Sequence, residues 1–229
     1  PKTARYQLSG FADLIPRVAA YFYERNADVK NQNAQLAQAL ASTIPVANQT
    51  VSANATTLNL GFEQLRESFD FENGGFGSAP KFPNPADITL LLHQAKAGNK
   101  EAEAMALQML TAMAAGGIYD QLGGAFCRYS VDERWNIPHF EKMLYDNGQL
   151  LCLYADGWQA TQSQQKKDMY AKVVEETVAW IEREMLSPQG AIYSSLDADS
   201  LDIHGHSAEG AFYIWQVEEV KQLLTAEEF

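Results

Sequence analysis

Cysteine is nearly absent from this sequence. The only two cysteines, Cys127 and Cys152, form no Cys-x-x-Cys motif and have no metal-type spacing, so neither thiol redox chemistry nor a cysteine-bound metal is expected. Both lie in an apolar or aromatic context, which predicts two buried thiols. This sparse use fits a reducing compartment, and we expect a cytoplasmic protein without a metal or other cofactor.

Basic residues and long apolar runs are also scarce. The 17 Lys and Arg stand against 29 Asp and Glu, which gives a net charge of -12. Sites for nucleic acid and for anionic membranes need basic surfaces, so we expect neither partner. No apolar run approaches the roughly 18 residues of a membrane span, and the sequence therefore predicts a soluble protein.

Hydrophobic residues make up 46% of the chain, and most of them recur at helical spacing. Ser9, Asn84 and Asn99 are predicted to cap helices. Helices are predicted over residues 11–22, 28–43, 58–69, 85–98, 99–116, 138–158, 170–185 and 217–224. Two short strands are predicted at residues 191–194 and 211–215. Short turns alternate with long Gly-rich loops, and a ring of paired helices would place every long loop at one mouth, where function is expected.

The first two long loops contain candidate ligand contacts. The segment GGFGSAPKFP does not match a phosphate-binding loop, because no strand precedes it and no Gly-Lys-Ser/Thr follows. It is either a structural loop or a support for Lys81, beside Phe82, as a cation that faces a ligand oxygen. In the second loop, Asp120 and Arg128 either pair with each other or form hydrogen bonds with a ligand.

Aromatic residues of the same loops suggest a carbohydrate ligand. Tyr119, Tyr129 and Trp135 would form a platform of the kind on which sugar rings stack, with Asp120 and Arg128 as hydrogen-bonding partners. Trp215 is a further candidate binding residue.

The third segment, WNIPHFEKMLYDN, contains a possible general base. His139, Lys142 and Asp146 are spaced i, i+3 and i+7, so the helix predicted here presents all three on one face. In its first turn the helix dipole disfavours imidazolium and keeps the His139 ring available as a base. Glu141 is a second acid–base candidate. The alternative is a structural histidine, and the His-Glu-x-x-His zinc motif is absent.

The fourth segment, SSLDADS, contains a pair of acids. Asp197 and Asp199 alternate, so an extended segment would point both the same way, and two close carboxylates can act as acid and base in glycoside chemistry. They equally fit a divalent cation held together with His204 and His206, or two solvated or capping acids.

Four segments together, GGFGSAPKFP, GGIYDQLGGAFCRYSVDERWNIPHFEKMLYDN, SSLDADS and EGAFYIW, resemble the spermatogenesis-associated protein 20-like family over about residues 58–224. Its members are described as thioredoxin-domain-containing proteins. The resemblance implies an all-α fold, an (α/α) toroid of the six-hairpin glycosidase type, related in shape to sugar epimerases and glycoside hydrolases. Residues 201–208 replace the short acidic stretch usual in the family, so the two histidines there lie in a variable part.

The resemblance also implies a domain arrangement. Residues 1–56 would be connector helices after a thioredoxin-like domain, with residues 44–56 as a surface connection, and residues 57–229 would be the first half of the toroid, with a small β-hairpin near residues 191–215. Thr225-Ala226-Glu227-Glu228 has the form of a capping box, which predicts that the chain continues into another helix.

Two functions remain open at this point. The first is a carbohydrate-active toroid, hydrolase or epimerase in type, with His139, Glu141, Asp146, Asp197 and Asp199 as acid–base candidates. The second is a non-catalytic binding or scaffold module that serves the attached thioredoxin-like domain. A third possibility is that catalysis requires the other half of the ring as well.

Overall fold

The computed structural model describes residues 2–4, 8–44 and 54–229. The chain forms two compact units, residues 1–53 and residues 54–229. Most of the predicted connection over residues 44–56 lies outside the described residues.

The first unit contains two helices, α1 (Phe11–Glu24) and α2 (Asn26–Thr43). The prediction that Ser9 caps α1 was wrong, because the N-cap residue is Gly10, whose carbonyl accepts from the N–H groups of Asp13 and Leu14 at 3.1 and 3.0 Å.

The second unit is built from helical hairpins. Its described residues contain six α-helices: α3 (Ala55–Ser68), α4 (Pro85–Lys96), α5 (Lys100–Ala115), α6 (Leu144–Ala160), α7 (Gln164–Trp180) and α8 (Val217–Leu223). The predicted Asn99 cap is confirmed, since its side-chain oxygen accepts from two backbone N–H groups of α5 at 3.1 Å. Asn84 occupies the N-cap position of α4 in a left-handed conformation without a side-chain cap.

The core lies between α4, α5, α6 and α7. Helix α5 is enclosed, with Met105, Met109 and Leu110 buried. Two buried tyrosines fix the hairpins to it, because the hydroxyl of Tyr154 donates to the carbonyl of Leu110 at 2.7 Å and that of Tyr170 donates to the carbonyl of Leu107 at 3.0 Å. Such satisfied hydroxyls hold the helix pairs in one relative position.

Helix α6 is only partly enclosed. Trp158 is 44% exposed, and Cys152 is exposed as well, whereas Cys127 is buried. The prediction of two buried thiols was therefore wrong for Cys152. Among the described residues, no helix combines the length and hydropathy that crossing a membrane requires.

The strands and the start of α6 differ most from the predictions. Helix α6 begins at Leu144 rather than near Pro138, because residues 138–139 pair with residues 129–130 and residues 142–143 pair with residues 195–196. The described strands are β1 (Tyr129–Ser130), β2 (Pro138–His139), β3 (Lys142–Met143), β4 (Ser195–Leu196), β5 (Asp199–Leu201) and β6 (Ser207–Glu209). They form three antiparallel pairs, β1–β2, β3–β4 and β5–β6.

The predicted β-hairpin near residues 191–215 is therefore present, as β5 and β6, but its strands are not where they were predicted. Residue 192 forms only an isolated bridge to Leu186, and Ala211–Tyr213 is a short 3-10 turn. Gly210 ends β6 in a left-handed conformation with φ of 72°, which prevents the strand from continuing through the aromatic residues that follow.

Candidate functional site

The long loops of the second unit pair with one another and form a continuous loop face, defined here as residues 69–83, 116–143 and 186–215. Lys81 of the first loop exchanges two backbone hydrogen bonds with Ser130 of the second, at 2.8 and 2.9 Å. Lys142 of the second loop pairs with Leu196 of the third. Each loop is thus tied to the next by a short ladder between residues far apart in the sequence.

A buried ion pair organises the first loop. The ammonium group of Lys81 lies 2.5 Å from the Asp70 carboxylate and donates to the carbonyl of Gly74 at 3.0 Å. The side chain of Lys81 is fully buried, and its Nζ lies 5.6 Å from the centroid of the Trp135 ring. The hypothesis that Lys81 faces a ligand was wrong, because its ammonium group is buried and its hydrogen-bond partners are Asp70 and Gly74.

The second loop repeats this arrangement. Lys142 Nζ lies 2.8 Å from Asp120 Oδ2, donates to the carbonyl of Gly124 at 2.9 Å and lies 5.6 Å from the Trp180 ring. In both loops an aromatic residue precedes the aspartate and bridges a phenylalanine seven positions further on, Phe69 to Phe76 and Tyr119 to Phe126. The two loops are copies of one structural unit.

Burial alone raises the pKa of both aspartates, but the hydrogen bonds that they accept outweigh it. The Lys81 ammonium and the backbone N–H groups of residues 72 and 73 hold the pKa of Asp70 well below its ordinary value. The Lys142 ammonium and the backbone N–H groups of residues 122 and 123 lower the pKa of Asp120 in the same way. Both carboxylates therefore remain charged in the folded protein at neutral pH.

The predicted aromatic platform is not formed as a surface. Trp135 is fully buried, and its indole N–H donates to the carbonyl of Gly74 at 3.1 Å. Tyr119 is only 2% exposed, and its hydroxyl donates to Glu176 at 2.6 Å. Both rings pack under the loops inside the protein, where the indole N–H and the tyrosine hydroxyl each have a hydrogen-bond partner. Of the three residues, Tyr129 alone remains half-buried near the surface.

His139 forms the most distinctive polar contact of the loop face. Its Nδ1 lies 2.6 Å from Glu209 Oε1, so the carboxylate accepts a hydrogen bond from this nitrogen. The ring stacks on Tyr129 at 4.8 Å, and Tyr129 in turn packs on Phe82 at 4.8 Å. No described residue hydrogen-bonds to Nε2. His139 lies in β2 and not in the first turn of a helix, so the predicted helix-dipole effect and the shared face with Lys142 and Asp146 were wrong.

A second polar cluster lies beside this pair. One of the two sequence-based alternatives paired Arg128 with Asp120, and it was wrong. The Arg128 guanidinium instead donates to Glu141 Oε2 at 2.8 Å. Asp146, in the first turn of α6, has a raised pKa because burial and the Glu141 charge outweigh the attraction of Arg128. Three of the predicted residues are therefore brought together here.

The two acids of the SSLDADS segment have different surroundings. Asp197 Oδ1 accepts from the backbone N–H of Asp199 at 3.0 Å and so holds the turn before β5. Asp199 lies directly opposite Glu209 in the β5–β6 pair, and directly opposed residues of a sheet have neighbouring side chains. Asp199 is thus close to the His139 partner, while Asp197 has a local role in the backbone.

The nearby histidines lie in the exposed turn between β5 and β6. Asp202 accepts from the backbone N–H groups of His204 and His206, both at 2.8 Å. Within the described residues, no group of three or more His, Cys, Asp or Glu side chains is arranged to hold a metal ion.

A cleft of about 770 Å³ opens on the loop face. Of the predicted residues, Tyr119, Asp120 and Trp215 line it. The sequence-based reasoning did not identify its other main walls, which are Phe140, Arg183, Glu184, Phe212 and Tyr213.

Glu209 and Gly210 belong to the EGAFYIW segment, and the sequence-based reasoning assigned neither of them a role. A side chain at Gly210 would overlap the ring of Phe140, and φ of 72° also disfavours any other residue there. The Glu-Gly dipeptide therefore places the Glu209 carboxylate against His139 and lets the backbone at Gly210 pass close to the ring of Phe140. The Glu-Gly-x-Phe-Tyr pattern was the available signal.

Comparison with known proteins supports the fold and the family. No family model matches the chain. Spermatogenesis-associated protein 20 of Mus musculus is 38% identical over 224 residues, which cover 94% of this chain and 28% of that protein. An uncharacterized protein of Caenorhabditis elegans is 36% identical over 222 residues, covering 94% of this chain and 30% of the relative. The chain therefore spans less than a third of the relatives' length.

A solved structure shares the fold. A sugar epimerase from a ruminal bacterium superposes with a TM-score of 0.50 at 15% identity, over 62% of this chain and 40% of the epimerase. Together with the helical hairpins described above, this confirms the predicted fold class, a partial (α/α) toroid. Identity this low says nothing about activity. The sequence matches are the stronger relation: over 94% of its length the chain is similar to spermatogenesis-associated protein 20 and to the Caenorhabditis elegans relative.

Proposed function

We propose that the loop face binds a carbohydrate or a carbohydrate-derived small molecule and performs acid–base chemistry on it, of the epimerase or hydrolase type. The observation that carries this proposal is the 2.6 Å contact between His139 Nδ1 and Glu209 Oε1. A carboxylate in this position fixes the tautomer and orientation of an imidazole. The same pairing of a histidine with a buttressing acid recurs in catalytic sites of unrelated folds.

The geometry gives each group a definable task. Glu209 accepts a hydrogen bond from Nδ1–H, which keeps the proton on Nδ1 and leaves Nε2 as the basic nitrogen, and Tyr129 restrains the ring by stacking. A proton taken up at Nε2 creates an imidazolium that the Glu209 carboxylate stabilises. Asp146 is the proposed proton donor, because its raised pKa favours retention of a proton. Glu141 and Arg128 set the charge around it.

The proposed ligand class rests on the surface around His139. Phe82, 41% exposed, packs against Tyr129 beside the imidazole, and sugar rings commonly contact such aromatic faces. The sugar epimerase that shares the fold is consistent with this ligand class, although a shared fold alone gives no substrate. Asp199 is assigned to the ligand side of the pair, next to Glu209, and Asp197 to holding the turn.

The proposal extends to the longer protein that the relatives indicate. Residues 57–229 would form the first half of the toroid, and residues 1–56 would connect it to a preceding thioredoxin-like domain in a cytoplasmic protein. Cys127 and Cys152 form no Cys-x-x-Cys motif, so any thiol redox step would belong to that domain and not to this chain.

A non-catalytic recognition module is the second candidate. One observation favours it: the segment from the last residue of β5 to residue 215 contains several large apolar side chains that are each more than half exposed. These are Leu201, Ile203, Phe212, Ile214 and Trp215. Exposed apolar groups grouped along one segment are typical of protein-binding surfaces, and a client of the thioredoxin-like domain would be the partner.

Turnover of sugars distinguishes the two candidates. The full-length protein is incubated with a panel of mono- and disaccharides in ²H₂O, and NMR records new products and solvent deuterium on the sugar carbons. We expect turnover that His139→Gln reduces by about 10²–10⁴-fold. His93→Gln, on the exposed surface of α4, is the matched control and should keep full activity. Absence of any product or exchange would favour the recognition module, and a fully active His139→Gln protein would contradict the assigned base.

A further inference from the structure

We propose that the 770 Å³ cleft is a binding subsite for an uncharged sugar ring, separate from the His139–Glu209 pair; this rests on the proposed carbohydrate chemistry of the loop face. The volume lies within the roughly 300–1,000 Å³ typical of small-molecule sites. Three loop segments, near residues 117–123, 138–140 and 212–215, contribute to its walls, together with residues 183–184 of the π-helical turn that follows α7.

The cleft and the His139 site lie on opposite sides of the same extended segment. Successive side chains of such a segment point to opposite faces. His139 contacts Tyr129 and Glu209 on one side, while Phe140 stacks on Tyr213 on the other, with centroids 5.1 Å apart and planes at 15°. The cleft therefore contacts a different part of a ligand from the part that His139 reaches.

The floor of the cleft is rigid and electrically balanced. Asp120 lines it while both of its carboxylate oxygens are already engaged, Oδ2 by the buried Lys142 and Oδ1 by backbone N–H groups at 3.1 and 2.8 Å. At the rim, Arg183 Nη2 lies 2.6 Å from Glu184 Oε1 and 2.7 Å from the carbonyl of Gly123. Every charged side chain that lines the described cleft is thus paired.

Paired charges disfavour an ionic ligand, because a phosphate or carboxylate would have to break the Arg183–Glu184 contact to find a partner. Aromatic rings, by contrast, remain accessible: Phe212 is 75% and Trp215 53% exposed. The hydroxyl of Tyr213 has no hydrogen-bond partner among the described residues, and burial with nearby acids raises its pKa, so it remains a neutral donor and acceptor. Flat apolar faces beside uncharged hydroxyls fit a neutral pyranose.

The binding test uses the full-length protein and calorimetric titration with four probes: glucose, cellobiose, glucuronate and glucose 6-phosphate. We expect saturable binding of at least one neutral probe and weaker binding of both anions. Trp215→Ala and Phe212→Ala should each weaken neutral binding at least about fivefold, since each removes a stacking ring. Trp158→Ala, on the exposed side of α6, is the matched control and should bind as the wild type does. Circular dichroism checks that each variant is folded.

The outcomes separate the subsite from the proposed chemistry. His139→Gln should lose turnover in the NMR assay yet bind the neutral probe within about twofold of the wild type. If Trp215→Ala and Phe212→Ala both bind the neutral probe as the wild type does, while turnover still depends on His139, the proposed subsite would be overturned and the proposed function would stand. Tighter binding of the anions, or no neutral binding at all, would also overturn the subsite. Binding that depends on Trp215, with turnover absent from the wild type, would retain the subsite and remove the chemistry.

Discussion

Replacement of Lys142 by methionine should destabilise the loop face strongly. The ammonium group is 1% exposed and lies 2.8 Å from Asp120. Removal of one partner of a buried pair typically costs about 3–5 kcal/mol, because the remaining charge loses its compensation. The Asp120 side chain keeps 16% exposure and its backbone hydrogen bonds, so we expect the lower end of that range, about 3 kcal/mol.

A double-mutant cycle isolates the pair from the other effects of the substitution. Asp120→Asn keeps the acceptor for the backbone N–H groups while it removes the charge. In the Lys142→Met, Asp120→Asn double variant no charge is left unpaired, and the combined loss should be smaller than the sum of the single losses by about 1–3 kcal/mol. Lys100→Met, at an ion pair whose lysine is 83% exposed, should cost less than about 0.5 kcal/mol.

Urea unfolding followed by tryptophan fluorescence measures these losses, because Trp180 lies over Lys142. A loss below about 1 kcal/mol for Lys142→Met would refute the reasoning that a buried, preorganised ion pair supports the loop. Strict additivity in the cycle would refute it as well, since it would show that the two groups act independently.

Three further predictions concern acid stability, a glycine and a positioning residue. The folded-state pKa values of Asp70 and Asp120 are depressed. The two carboxylates therefore stabilise the folded protein above the unfolded carboxyl pKa of about 4, and this stabilisation is lost as the pH falls below it. The urea midpoints at pH 3 and pH 7 should differ less for Asp70→Asn and Asp120→Asn than for the wild type, and equal differences would argue against the ion pairs. Gly210→Ala should lower the free energy of unfolding by about 1–3 kcal/mol, since it strains the backbone and overlaps Phe140; an unchanged urea midpoint would contradict this packing. Glu209→Gln should lower kcat at least about tenfold with KM changed less than about twofold, whereas an unchanged kcat would leave this residue without a role in orienting the imidazole.

The helices could be predicted from the sequence because their signals are local. The spacing of apolar residues in α5 and the Asn99 cap each depend on residues within a few positions, and both are present. The start of α6 was wrong for the opposite reason. Pro138 is a common first residue of a helix, but Pro138 and His139 instead pair with β1 of the same loop, and Lys142 and Met143 pair with β4, which is far away in the sequence.

The candidate site could be predicted only in part. His139 and Glu141 were identified as acid–base candidates at the start of a predicted helix, yet Glu209, the partner of His139, lies 70 positions away, and no local pattern connects the two. Trp135 was predicted to belong to a surface platform for sugar rings, but it is buried, and its N–H donates to a carbonyl of another loop. The repeated Asp–Lys units could have been predicted from the sequence, because the aromatic residues of each unit are seven positions apart.

The central claim, that His139 contacts a bound sugar, is tested most directly by NMR of the imidazole nitrogens. Full-length protein labelled with ¹⁵N-histidine is titrated with the saccharide panel, and the His139→Gln variant assigns the relevant resonance. We predict a saturable shift of the His139 Nε2 signal and an unchanged His93 signal. Saccharide binding that leaves the His139 signal unmoved, or no response to any saccharide, would contradict the account.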